Sequence, residues 1–267
     1  MITSTSNLKI KNVLRLLESS KARREQQVFV TEGVKLFCEA PADQIRQVFL
    51  TQACYERLPE KEKLAALPYE FVSDAVYRRI SDTQTPQGVL CIMEKGMDTL
   101  PSLLQSLKGQ AVHILVLEGI QDPGNLGTML RTAEGAGFDF ILADEKTVDV
   151  YNPKVIRSTM GSIFRVPVLC TERLAESITY LKSEHILLYA AHLHGEKDYR
   201  EQNFSDRTAI LIGNEGNGLS DEISALADIL VKIPMRGNVE SLNAAIAAAL
   251  LMYEAVRDST EKWRIGK

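Results

Sequence analysis

The chain has 267 residues, 45% hydrophobic and 25% charged, with a formal net charge of −4. That apolar content excludes a disordered chain, the length suggests about two domains at roughly 150 residues each, and the acidity argues weakly against nucleic acid as a partner. No apolar run reaches the roughly 18 residues of a membrane helix, and residues 1–10 lack the apolar stretch of a signal peptide.

The first elements are basic. Residues 1–30 hold Lys9, Lys11, Arg15, Lys21, Arg23 and Arg24 against Glu18 and Glu25, a net of +4. Leu8, Val13, Leu14, Leu16 and Leu17 interleave with these charges, which predicts an amphipathic helix. Its basic face is either a solvated surface or an anion-binding edge. Short strands are predicted at 28–30, 47–50, 70–72 and 89–93, with helices at 31–40 and 74–80, a small α/β domain. Residues 97–110 carry Pro101 and Gly109 and read as a linker that could contain a short helix.

The second half alternates strand and helix. Strands are predicted at 112–117, 138–143, 186–191, 209–212 and 229–233, and helices at 124–136, 153–159, 173–182 and 241–256. The 112–117 run is apolar throughout, as a strand buried on both faces would be. This alternation predicts a mostly parallel sheet covered by helices. The domain boundaries expected are 1–95, a linker at 96–110, and 111–260.

Three polar, glycine-containing segments adjoin predicted strands of the second domain, where parallel sheets bind ligands. They are Asp122-Pro-Gly-Asn-Leu-Gly-Thr-Met-Leu-Arg131, Gly213-Asn-Glu-Gly-Asn-Gly-Leu-Ser220 and Ile233-Pro-Met-Arg-Gly-Asn-Val-Glu-Ser-Leu-Asn243. Each alone reads as a turn. Together they offer Asn125, Arg131, Glu215, Ser241 and Asn243 to one polar pocket. Neither G-x-G-x-x-G with its proper context nor the P-loop pattern is present, and no H-E-x-x-H or nucleophile elbow appears. His192 and His194 form only a weak metal signal. Cys38, Cys54, Cys91 and Cys170 are too scattered for a disulfide framework or zinc site, which suggests no metal and a reducing, cytoplasmic setting.

These three segments, in this order and spacing, resemble the motifs of the SpoU (TrmH-like) branch of the SPOUT RNA methyltransferases over about residues 110–260. The stretch from Asn152 to Pro167 also reads like that family. Weaker similarity over 25–95, including Thr85-Pro-Gln-Gly-Val-Leu90, resembles its substrate-binding domain, similar to the ribosomal protein L30e fold. The resemblance implies an α/β SPOUT domain with a deep trefoil knot, a homodimer, and bound S-adenosylmethionine held at Gly213, Ile233 and Leu242, with Met235 and Leu219 as neighbours. It further implies methylation of a ribose 2′-hydroxyl in RNA, with ribosomal RNA (23S) favoured over transfer RNA, and Arg131 at the reaction. Asn125 would orient Arg131 or the ribose, Glu215 would hold Arg131 or a facing loop, and Ser241 and Asn243 would complete the set. A surface ion pair of Arg131 with Glu134 is the structural alternative. A non-catalytic RNA-binding or ribosome-assembly protein and a small-molecule methyltransferase are the competing functions. The six basic residues of 1–30 are the expected RNA contacts.

Overall fold

A computed structural model describes residues 1–193, 195 and 197–257. The chain divides into two compact units, Met1–Met97 with Asp149–Phe164, and Asp98–Val148 with Arg165–Lys267. His194 and the expected domain end at 260 lie outside the described residues.

The first unit is built on a four-stranded sheet ordered β1 (Val28–Glu32), β4 (Val89–Glu94), β2 (Ile45–Leu50), β3 (Tyr69–Phe71). Strand β4 is antiparallel to β1 and β2, and β3 is parallel to β2. Alternate side chains of these strands enter two cores, as strand geometry requires. Helices α1 (Leu8–Glu18), α2 (Ser20–Gln26) and α5 (Asp74–Ile80) fill one with Ile10, Val13, Leu16, Ala22, Val76 and Ile80. Helices α3 (Val34–Glu39), α4 (Gln52–Arg57) and α8 (Pro153–Thr159) contribute Leu36, Phe37, Cys54 and Ile156 to the other. The predicted 31–40 helix begins late. Thr31 and Glu32 pair with Cys91 and Leu90 in the sheet, and Gly33, at φ +113°, turns the chain before α3. Helix α4 is absent from the sequence reading.

The basic segment is not a free arm. Arg23 is 3% exposed and donates to Asp149 through Nε and Nη2, at 2.9 and 2.6 Å. Its Nη1 also donates to the carbonyls of Leu16 and Leu17, at 2.5 and 3.2 Å. Lys9 pairs with Glu70, and Arg15 and Lys21 both reach Glu25, at 2.9 and 3.9 Å. Only Lys11 and Arg24 of the six are exposed without an ion pair among the described residues. This corrects the expected RNA-binding role for Arg23, which is structural. The local net charge overstated the segment because Glu70 and Asp149, which neutralise it, lie far along the chain.

The second unit carries a seven-stranded, wholly parallel sheet. Its order is β7 (Val168–Thr171), β6 (Phe140–Asp144), β5 (Val112–Leu117), β10 (Arg207–Ile212), β8 (Leu187–Ala191), β11 (Ile229–Lys232), β9 (Lys197–Asp198). Strand β5 is buried along its whole length, as expected of a strand covered on both faces. Helices α6 (Leu100–Ser106), α9 (Leu174–Ser183) and α10 (Asp221–Leu226) supply Leu104, Leu174, Ile178, Leu181 and Ile223 to one core. Helices α7 (Pro123–Ala136) and α11 (Ala244–Ala255) pack on each other and bury Leu126, Met129, Leu130, Ala248, Leu251 and Met252. The segment read as a linker contains α6, capped by a Thr99–Ser102 box, with Leu100, Leu103 and Leu107 against the second unit's core. The short elements β7, β9 and α10 went unread.

Removing Asp149's charge leaves the Arg23 guanidinium buried and unpaired, which typically costs about 3–5 kcal/mol. Asp149→Asn is therefore expected to lower the urea midpoint of the first unit's unfolding by a corresponding amount. A midpoint equal to that of the unaltered protein would show that the pair carries no stability.

Candidate functional site

Strands β5, β10, β8 and β11 are parallel, so the loops at their carboxyl ends converge at one end of the sheet. Such a crevice is the usual ligand site of an open α/β sheet. The loop after β10 is tightly closed. Asn214 and Gly218 exchange backbone hydrogen bonds at 3.0 and 2.9 Å. A Cβ on Gly213 would overlap the backbone of Gly218 and Leu219, so only glycine fits there. The Asn214 side chain accepts from the Gly216 and Asn217 N–H groups and donates to the Gly119 carbonyl at 2.7 Å. Glu118, just past β5, accepts from the Ser220 N–H and hydroxyl at 2.8 and 2.7 Å. Two side chains thus pin the 213–220 loop to the end of β5.

Beside this loop lies a cavity of about 640 Å³. Its walls come from 212–219, 231–235, 240–242, Ala244 and Ala247, together with Ala191, His192 and Leu193 after β8. Gly213, Leu219, Ile233, Met235 and Leu242, the five residues expected to hold a cofactor, all line it, as do Glu215 and Ser241. The 191–193 wall was missed, because the sequence does not reveal that β8 lies between β10 and β11. Gly195 is its one mark: a Cβ there would sit 2.8 Å from the Val231 carbonyl carbon.

Asn125 and Asn243 stand outside the cavity lining and form a directed chain of hydrogen bonds with Glu215. Asn243 caps α11, its Oδ1 accepting from the Ala245 and Ile246 N–H groups at 2.9 and 3.3 Å. This fixes its amide, so that Nδ2 donates to Asn125 Oδ1 at 2.9 Å. The Asn125 Nδ2 in turn donates to Glu215 at 3.1 Å. Glu215 also accepts from the Gln121 and Asp122 N–H groups, at 3.1 Å each. Partial burial alone would raise its carboxyl pKa, but the Asn125 amide and the two backbone donors outweigh that and hold it below the ordinary glutamate range. At neutral pH Glu215 is therefore an anion and a pure acceptor.

Arg131 lies on the exposed side of α7. Neither Glu215 nor Asn125 holds it: Glu215 instead takes the facing 121–122 segment, the other role expected of it, and Asn125 is engaged by Glu215 and Asn243. The Glu134 pairing also fails: Glu134 is held by Arg165, partly through a 3.2 Å bond from Nη2. The Arg131 side chain has no hydrogen-bond or ion-pair partner among the described residues. Among those residues no group of three or more His, Cys, Asp or Glu could hold a metal ion, and no helix is long and apolar enough to cross a membrane.

Comparison with known proteins finds two matching families. Residues 112–253 match the SpoU rRNA Methylase family, and residues 7–91 match the MRM3-like substrate binding domain. The chain is 32% identical over 254 residues to the 23S rRNA (guanosine(2553)-2′-O)-methyltransferase RlmP of Bacillus subtilis, covering 94% of this chain and 97% of that protein. An AdoMet-bound rRNA methyltransferase from Sinorhizobium meliloti superposes with a TM-score of 0.84 at 31% identity, over 96% of this chain and 97% of that one. The SpoU methyltransferase AviRb from Streptomyces viridochromogenes, in complex with AdoMet, gives a TM-score of 0.84 at 26% identity, over 96% and 99%.

Gly213→Ala is expected to force the 213–220 loop open. Amide hydrogen exchange at Asn214 and Gly218 should accelerate at least ten-fold, since their mutual bonds can no longer form. Unchanged protection at both amides would contradict the steric account.

Proposed function

The chain belongs to the SpoU rRNA methylase family and is an S-adenosylmethionine-dependent RNA 2′-O-ribose methyltransferase; from that premise we propose that it methylates 23S ribosomal RNA, as a homodimer, in the cytoplasm. The observation that carries the reading is the convergence of three loops on one cavity, with a polar hydrogen-bond chain alongside it. The ribosomal choice is supported by the relative matched across nearly its full length, a 23S rRNA enzyme, and by the first unit's likeness to a substrate-binding domain.

The cavity suits the cofactor. Leu219, Ile233, Met235, Leu242, Ala244 and Ala247 offer apolar surface to an adenine ring, and about 640 Å³ is within the usual range for a small-molecule site. Gly213 and the 233–242 backbone would contribute main-chain donors and acceptors, in the knotted arrangement the resemblance implies. When bound, the cofactor supplies a methyl carbon already made electrophilic by its sulfonium.

The protein's share is alignment and charge. A guanidinium gives up its proton too reluctantly to serve as a base, so the role assigned to Arg131 is that of a cation. It binds a phosphate of the RNA and offsets the negative charge that grows on the 2′-oxygen, while the hydroxyl proton is relayed through an oxygen of that phosphate and released to solvent. Ser241, on the cavity wall, orients the ribose. Asn125, Asn243 and Glu215 act by fixing the three loops relative to one another. The homodimer is supported by α11, where Ile246, Leu250 and Tyr253 are 50%, 37% and 47% exposed at helical spacing, a stripe that fits the same face of a second copy.

Labelled S-adenosylmethionine should transfer its methyl group to an unmodified 23S rRNA transcript, and the absence of transfer to it would refute the substrate. A transfer RNA transcript in the same assay covers the other expectation. Arg131→Ala should lower kcat on the order of 10²–10³-fold with cofactor affinity unchanged, because Arg131 does not line the cavity. Normal turnover by this variant would overturn the assigned role. Sedimentation equilibrium should find a dimer that Leu250→Glu converts to monomer.

A further inference from the structure

The cations of α1 and α2 are largely neutralised within the first unit, so its contact with RNA has to be sought elsewhere. One segment combines free cations with a held, uncharged tip. Arg78 and Arg79 end α5, both exposed and without an ion pair among the described residues. Loop 81–87 follows at once. Its start is bound to Glu32, whose carboxylate accepts from the Ser81 hydroxyl, the Asp82 N–H at 3.0 Å and the Thr83 hydroxyl at 3.1 Å. Asp82 further takes the Arg157 guanidinium at 2.7 Å. The loop's end is bound by Gln87, whose Oε1 accepts from the Val34 N–H at 2.8 Å. Between the two clamps stand Gln84, Thr85 and Pro86, all exposed, the first two with no side-chain hydrogen bond among the described residues.

A carboxylate with three donors from one loop committed to it is a large outlay of bonding for a surface turn. Its effect is that the tip is ordered in advance, so a ligand need not spend binding energy on fixing it. Pro86 narrows the backbone further. The Gln84 amide and the Thr85 hydroxyl each both donate and accept, which suits the edges of unpaired bases better than phosphates.

We propose, resting on the RNA reading above, that segment 78–87 is the RNA-reading edge of the first unit. Arg78 and Arg79 take backbone phosphates, and Gln84 and Thr85 hydrogen-bond base edges in a single-stranded part of the target. Glu32 is the positioning residue that holds the loop.

The test is binding of the full-length protein to an unmodified 23S rRNA transcript, titrated at several salt concentrations. Phosphate and base contacts differ in their salt dependence. Gln84→Ala with Thr85→Ala should raise Kd about ten-fold and leave the slope of log K against log salt unchanged. Arg78→Ala with Arg79→Ala should reduce that slope by about 1.5. Both variants should keep the cofactor affinity and melting temperature of the unaltered protein, because these side chains are exposed. Unaltered Kd in both double variants, or a slope change in the Gln84/Thr85 variant without loss of affinity, would overturn the assignment. Methyl transfer is scored separately: loss of binding in the variants, with no transfer by the unaltered protein, would uphold the loop and sink the function.

Discussion

Glu215 is the group on which the candidate site turns. Its carboxylate collects two backbone N–H groups from the start of the α7 segment and the amide of Asn125. Asn125 is held in turn by Asn243, which is itself locked as the cap of α11. Three loops from separate parts of the chain are thereby tied through one anion. Each bond has a single allowed polarity, because an ionised carboxylate can only accept and an N-cap oxygen can only accept. Replacing any member would leave its neighbours with unmatched groups, so the motif residues are interdependent, and their roles cannot be divided cleanly into binding and catalysis.

Much of the chain beyond residue 110 was legible because its central strands are mostly apolar and its longer helices announce their ends. Asp122 and Pro123 open α7 and Gly137 closes it; Asn152 and Pro153 open α8. The elements that escaped, α4, β7, α10 and β9, are two to six residues long, too short for a period to show. The five cavity residues were found through family likeness, and Gly213 also had a physical reason. The 191–193 wall was not legible, since strand order in a parallel sheet depends on long-range pairing that local pattern does not encode. Whether Arg131 pairs with Glu134 was open for a related reason: Arg165, distant in sequence, takes the acid that helical spacing offered to Arg131.

Charge shows the same limit. A net of +4 over 30 residues looks like an RNA-binding arm when only neighbours are counted. Folding brings Glu70 and Asp149 to that segment and leaves two of its six cations unmatched. What matters to a polyanion is the field that remains after such pairing, and this field is read from contacts.

The first unit is discontinuous, completed by residues 149–164, and this has a consequence for biosynthesis. When the first 97 residues have left the ribosome, all four strands of its sheet exist. Asp149, Ile156 and their neighbours do not. Arg23 then has no counter-ion, and part of the second core is uncovered. The amino-terminal unit therefore cannot finish folding until β5, α7 and β6 of the other unit have been made. Vectorial synthesis, which usually lets the first domain mature ahead of the next, here obliges the two halves to mature together.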